Sequence, residues 1–206
     1  MAYRKQRRSP PWLTFSDLLG NAFFLIILVL GIFLIRSGSN RQPPIIDLSE
    51  TASYSFTLGS FMPSPEFTRR LRKEVSPRII KLLREYPSIS SVEIIGHTDG
   101  VPNGEGLPSN LDTQNINSDL EASKDRLYRP GSNTDLGLLR ALYVKSVLNN
   151  EIQRICSSNK RKQLECRHIS YRVYSAGSLI SLKGEIKPAN GESDPSRRRI
   201  EIRFTR

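Results

Sequence analysis

One carboxylate, Asp17, interrupts the apolar stretch near the start of this 206-residue chain. It lies five residues past Trp12, and the 18 residues from Leu18 to Ile35 carry no charge. Thr14 and Asn21 fall one helical turn to either side of it, on the same face. No basic residue stands three or four positions away to neutralise it. Two readings fit. Asp17 is either an intramembrane carboxyl that takes up and releases an ion against protein or a water-filled cavity, or a helix-entry residue reaching back to the headgroups, where the N-terminal dipole favours it. A second polar group, Gly96-His97-Thr98-Asp99, closes the run Val92-Glu93-Ile94-Ile95. On its own Asp99 reads as a turn-capping carboxylate, and Arg140 as a surface residue of a helix. Cys156 and Cys166 flank a short polar, basic stretch and are either a local disulfide of an oxidising compartment or two free buried thiols. No nucleophile–base constellation, phosphate-binding loop or cluster of metal ligands is present in the sequence, so neither an enzyme nor a bound cofactor is expected.

The elements that must position these groups begin with a membrane segment. Residues 1–11 form a basic tail with Arg4, Lys5, Arg7 and Arg8 and no acidic residue. From Trp12 to Ile35, 24 residues would make a helix of roughly 36 Å, enough to span a bilayer. Residues 12–36 are therefore expected to be a transmembrane helix. The basic tail places the N-terminus in the cytoplasm, and the rest of the chain lies in the periplasm of a double-membrane bacterium. A cleaved signal peptide is the alternative. The apolar run is longer than the usual core of about 7–15 residues, and only Ser37-Gly38-Ser39 offers a weak cleavage site.

Residues 37–49 read as a linker, with a Pro43-Pro44 pair. Alternation over Ser53–Leu58 predicts a strand. Phe67, Leu71, Val75, Ile79 and Leu82 predict a helix, with Pro77 as a kink point. Val92–Asp99 predicts a strand ending in the polar group, and Asp135–Leu148 a helix. Ile169–Tyr174 and Arg199–Phe204 are two more alternating strands. Residues 100–132, rich in Gly, Pro, Asn and Ser, form a long insertion of functional interest. The order strand, helix, strand, helix, strand, strand predicts an α+β domain with helices on one face of a mixed sheet.

Charge is uneven as well. The chain has 31 Lys and Arg against 20 Asp and Glu, which favours an anionic partner. Without the first 36 residues, 26 basic and 19 acidic residues remain, and no aromatic–basic platform accompanies them. A nucleic-acid binder is therefore rejected. Lys160-Arg161-Lys162 and Arg197-Arg198-Arg199 read as solvated basic faces.

Ile95-Gly96-His97-Thr98-Asp99 resembles the Gly-His-Thr-Asp signature of the OmpA C-terminal, peptidoglycan-binding family. Asn133, Leu136, Arg140 and Ala141 are similar to its Asn-x-x-Leu-Ser-x-x-Arg-Ala helix, with Gly137 in place of the usual Ser. Gly177 matches the glycine after the third strand. Ser196-Arg197-Arg198-Arg199-Ile200-Glu201-Ile202 resembles its closing Asn-Arg-Arg-Val-Glu-Ile motif, with Arg197 in the Asn position. The resemblance covers residues 50–206 and implies binding of the zwitterionic end of a diaminopimelate in a peptidoglycan stem peptide. Asp99 would accept the ammonium and Arg140 would clamp the carboxylate. Thr98, Asn133 and Arg198 would orient those two or touch the peptide.

Joined to an OmpA-like domain, Trp12-Leu13-Thr14-Phe15-Ser16-Asp17-Leu18-Leu19 resembles the membrane entry of the MotB family of ion-driven motor subunits. The resemblance implies a homodimer inside a ring of about five polytopic A-type (MotA-like) subunits, anchored to the cell wall, with Asp17 carrying a proton or a sodium ion. The 13 residues from Ser37 to Ser49 would reach at most roughly 45 Å. That is short for a flagellar stator, so a non-flagellar motor resembling the Zorya anti-phage system is favoured over a flagellar stator subunit. A passive membrane-to-wall tether is the reading from a different class.

Overall fold

The computed structural model describes residues 11–38, 43–51, 54–56, 59–103, 108–112, 128–158 and 169–206, with side chains of the first helix over 15–34. The chain divides into two units, Met1–Gln42 and Pro43–Arg206. Among the described residues, the first holds one helix, α1 (Pro11–Gly38). Its segment Phe15–Leu34 is 20 residues long with a mean hydropathy of 2.4, so it is long and apolar enough to cross a membrane. Asp17 and Asn21 share one of its faces, four residues apart, and both are exposed.

The second unit is α+β, in the order β1 (Ile46–Ser49), α2 (Pro65–Arg70), a π-helical segment (Leu71–Val75), α3 (Ser76–Glu85), β2 (Ser91–His97), α4 (Asn133–Ser157), β3 (Ser170–Gly177) and β4 (Arg199–Thr205). The sheet order is β1-β4-β2-β3. β4 runs antiparallel to both β1 and β2, whereas β2 and β3 are parallel, as a crossover through α4 requires. Register puts Ile46 beside Ile202, Leu48 beside Ile200, and Ile94 beside Ile202. These residues alternate onto one face and are buried with Phe67, Leu71, Ile79, Leu139 and Val144 of the helices. Asp47, Glu93, Glu201 and Arg203 take the intervening positions on the other face.

The first strand is not where alternation suggested. It is formed by Ile46–Ser49, inside the expected linker, so the domain begins at Pro43 and not at residue 50. In Ser53–Leu58 the described residues make isolated bridges only, Thr51 with Tyr54 and Phe56 with Pro63. Phe56 is spent on packing. Its ring meets Phe67 edge-on with centroids 5.2 Å apart.

The helix expected through Pro77 does form, with a widened turn in place of a simple kink. Apolar residues at 67, 71, 75 and 79 are spaced by four, which drifts around an ideal helix of 3.6 residues per turn. The π-helical segment absorbs that drift and keeps all four buried. Pro77 supplies no N–H, and Ser76 Oγ donates to Leu71 O at 2.9 Å. α4 continues past Leu148 because Ile152 and Cys156 keep the buried stripe, and Arg154 satisfies the largely buried Glu151.

Candidate ligand-binding site at the end of the central strand

The polar run after β2 is held open by its neighbours. β2 and β3 lose register between Gly96 and His97, where His97 pairs with Gly177. Gly177 has φ 51°, a conformation that favours glycine, and its carbonyl accepts the Thr98 N–H at 2.9 Å. Asn133, the first residue of α4, donates from Nδ2 to Asp99 O at 3.3 Å and Val101 O at 2.9 Å. Ser132 caps the same helix end by accepting the Asp135 N–H. The loop carrying Asp99 is thus pinned to both β3 and α4.

α4 brings Arg140 to this loop by lying unusually close to the sheet. A Cβ added at Gly96 would sit 1.9 Å from Gly137 O. One added at Gly137 would meet Ser175 Oγ at 2.4 Å and Gly96 O at 2.9 Å. The glycine at 137, a departure from the resembled motif, is therefore a packing requirement of this chain.

Four charged side chains converge there. Asp99 and Arg140 are both buried. Arg140 Nε donates to Ser60 O at 3.1 Å, and its guanidinium lies 4.5 Å over the centre of the Phe56 ring. Burial pushes Arg140 down to about 10, with Glu50 and Asp99 working against that and Arg198 adding to it. It remains a cation at neutral pH. Among the described residues, its Nη1 and Nη2 have no hydrogen-bond acceptor. Arg198 Nη1 donates to Asp99 Oδ2 at 2.5 Å and to Ser193 Oγ at 3.1 Å. Its Nε donates to Glu50 Oε2. Burial opposes the Arg198 charge, but the hydrogen bonds to Glu50 and Asp99 outweigh it and hold this group above its ordinary value. Two cations and two anions share one small volume, so each buried charge has its compensation nearby.

Of the residues singled out from sequence, Asp99, Arg140, Asn133 and Arg198 come together. Thr98 is beside them but acts through its backbone. Its hydroxyl is buried and, among the described residues, unpaired. Sequence reasoning missed Glu50, Ser193, Ser60 and Phe56. Asp17 belongs to the other unit. Cys156 is buried and disulfide-bonded. Cys166 and Lys160-Arg161-Lys162 lie outside the described residues.

The basic run at 197–199 is not a solvated face. Arg197 Nη1 donates to Ser178 O and Lys187 O, tying down the loop between β3 and β4. Arg199 is buried and donates from Nη2 to Ser181 O. Strand alternation leaves only Arg198 turned toward Asp99. The insertion at 100–132 is described over 100–103, 108–112 and 128–132. There Tyr128 packs on Phe61 with ring centroids 6.5 Å apart, next to the Ser60 carbonyl that receives Arg140.

No protein-family model and no curated relative matches the chain. Among solved structures, it is similar to the periplasmic domain of Helicobacter pylori MotB, at 18% identity over 80% of this chain and 83% of that one, with a TM-score of 0.42. It is also similar to the cell wall anchor of the T6SS from Pseudomonas aeruginosa, at 17% identity over 79% and 81% of the two chains, with a TM-score of 0.35.

Proposed function

We propose that this chain is a membrane-anchored, peptidoglycan-binding protein whose domain from Pro43 onward takes the zwitterionic end of a stem-peptide diaminopimelate. The observation that carries the reading is the meeting of Asp99, Arg140 and Arg198 at the C-terminal end of β2. A zwitterion needs one fixed anion and one fixed cation a few Å apart. Asp99 offers the anion, and the Arg140 fork, held by Ser60 and Phe56, offers a planar donor pair for a carboxylate. Asn133 fixes the Asp99 backbone, and Thr98 anchors the loop to β3. The test uses full-length protein in detergent, sedimented with purified sacculi. Asp99→Ala and Arg140→Lys, each checked for an unchanged circular dichroism spectrum, are expected to lose most of the bound fraction. Unchanged sedimentation would move the site elsewhere.

Combined with α1, the reading extends to the B subunit of an ion-driven inner-membrane motor, with the N-terminus cytoplasmic and the domain periplasmic. In that assembly two copies sit within a ring of MotA-like subunits, and Asp17 carries a proton or sodium ion. One charge falling through 100 mV supplies about 2.3 kcal/mol for rotation. With β1 starting at Ile46, only residues 39–45 separate α1 from the sheet. Fully extended they would reach about 25 Å, which supports a non-flagellar motor of the Zorya type over a flagellar stator. Native mass spectrometry of the complex from host membranes tests this directly. Two copies with about five of a polytopic partner support the motor, and a bare monomer or homodimer supports a passive tether.

A further inference from the structure

Glu50 follows β1 directly and extends its ladder, its N–H donating to Arg198 O at 2.8 Å. Its side chain is largely buried and has two occupied oxygens. Oε2 accepts from Arg198 Nε, and Oε1 accepts the Phe56 N–H at 3.4 Å. Each contact leads to one of the site's arginines. Arg198 is gripped at Nε, which leaves Nη1 to reach Asp99 Oδ2 and Ser193 Oγ. Phe56 carries the ring on which the Arg140 guanidinium rests. One carboxylate outside every motif read from the sequence therefore sets the placement of both cations.

We propose that Glu50 is the positioning residue of this site, holding Arg198 beside Asp99 so that the site selects a ligand bearing a carboxylate next to its ammonium. The proposal rests on the zwitterion-binding reading above. In the structure Arg198 Nη1 occupies Asp99 Oδ2. An ammonium that takes over that oxygen releases Nη1, and Arg198 then needs a second anchor to stay in the site. Glu50 supplies it. The released Nη1 then faces the ligand carboxylate together with the Arg140 fork, while the Nε contact is unchanged. A ligand with the ammonium alone gains nothing from this arrangement.

The test has a ligand-free arm and a binding arm, both on the full chain in detergent micelles. In the first, the Arg198 Nε–H resonance, assigned by its loss in Arg198→Gln, is expected to exchange slowly with water in the wild type and rapidly in Glu50→Gln. Slow exchange in Glu50→Gln overturns the positioning role, whatever the ligand is. In the second, calorimetry compares stem tripeptides ending in diaminopimelate and in lysine. Glu50→Gln is expected to weaken the diaminopimelate peptide about tenfold, the scale of one charge-assisted hydrogen bond, and the lysine peptide less than twofold. Glu50→Asp is expected to recover part of the loss. The double variant with Arg198→Gln is expected to be no weaker than Arg198→Gln alone. Equal losses for both peptides, or additive losses in the double variant, overturn the proposal. If wild type binds neither peptide, the zwitterion reading fails, while the exchange arm still decides the role of Glu50.

Discussion

Asp17 and Asp99 are the same side chain in opposite settings. Asp99 is buried in its own domain, receives Arg198 and Ser193, and has its backbone held by Asn133. Asp17 lies on an exposed helix face, with no ion-pair partner among the described residues. A carboxylate compensated within its own fold can serve a static binding site. One left uncompensated on an apolar helix is costly in lipid unless protein, water or the headgroups receive it. The two units differ in the same sense: the domain is built from side chains that answer each other, and α1 presents an apolar surface for lipid or protein to cover.

The largest effect follows from that contrast. Asp17→Asn is expected to abolish the biological output in the native host while the assembly, read by native mass spectrometry, stays intact. Retained output would reduce Asp17 to a helix-entry residue and the chain to a tether. The next is confined to the domain. Gly96→Ala places a methyl group against the Gly137 carbonyl, backbone on backbone, where no rotamer change gives relief. Overpacking of this kind costs about 3 kcal/mol, and wall binding should fall with it because α4 carries Arg140. Chemical denaturation followed by near-ultraviolet circular dichroism reads it. A loss below about 1 kcal/mol would mean that α4 can lift away from β2 and that the close approach does not position the site.

Much of the domain was legible because its signals are local. β3 and β4 alternate in sequence, and α4 has a Ser132 cap and an apolar stripe. The closing motif already placed Arg198 among the site residues. What escaped depends on contacts distant in sequence. Ile46-Asp47-Leu48-Ser49 is only four residues long, follows two prolines, and becomes a strand because β4 offers it a register. Glu50 gains its role from Arg198, 148 residues away. The π-helical turn was implicit in the four-residue spacing of Phe67, Leu71, Val75 and Ile79, a period slightly too long for an α-helix. Arg197 and Arg199 were misread as a solvated face because a run of like charges does not disclose which loops its alternate members will meet.

His97 sharpens the comparison from within the domain, since it is a buried titratable group that the binding site does not use. It is 2% exposed, with Nε2 3.3 Å from Glu201 Oε2 and, among the described residues, no partner for Nδ1. Burial pushes its pKa below 6.5, and Arg199 on β4 adds to this, while Glu201 and Asp47 oppose it. The imidazole is therefore neutral in the folded domain when the unfolded chain, near 6.5, begins to take up a proton. Below that pH the unfolded state binds more protons, so unfolding free energy decreases as pH falls, with a slope of at most about 1.4 kcal/mol per pH unit from this one group. His97→Gln keeps a polar side chain and removes the titration. Between pH 7.5 and 5.5 its melting temperature is expected to fall less than that of the wild type. Parallel melting curves for the two proteins would show that His97 accepts its proton inside the fold, with Glu201 and Asp47 outweighing both Arg199 and burial.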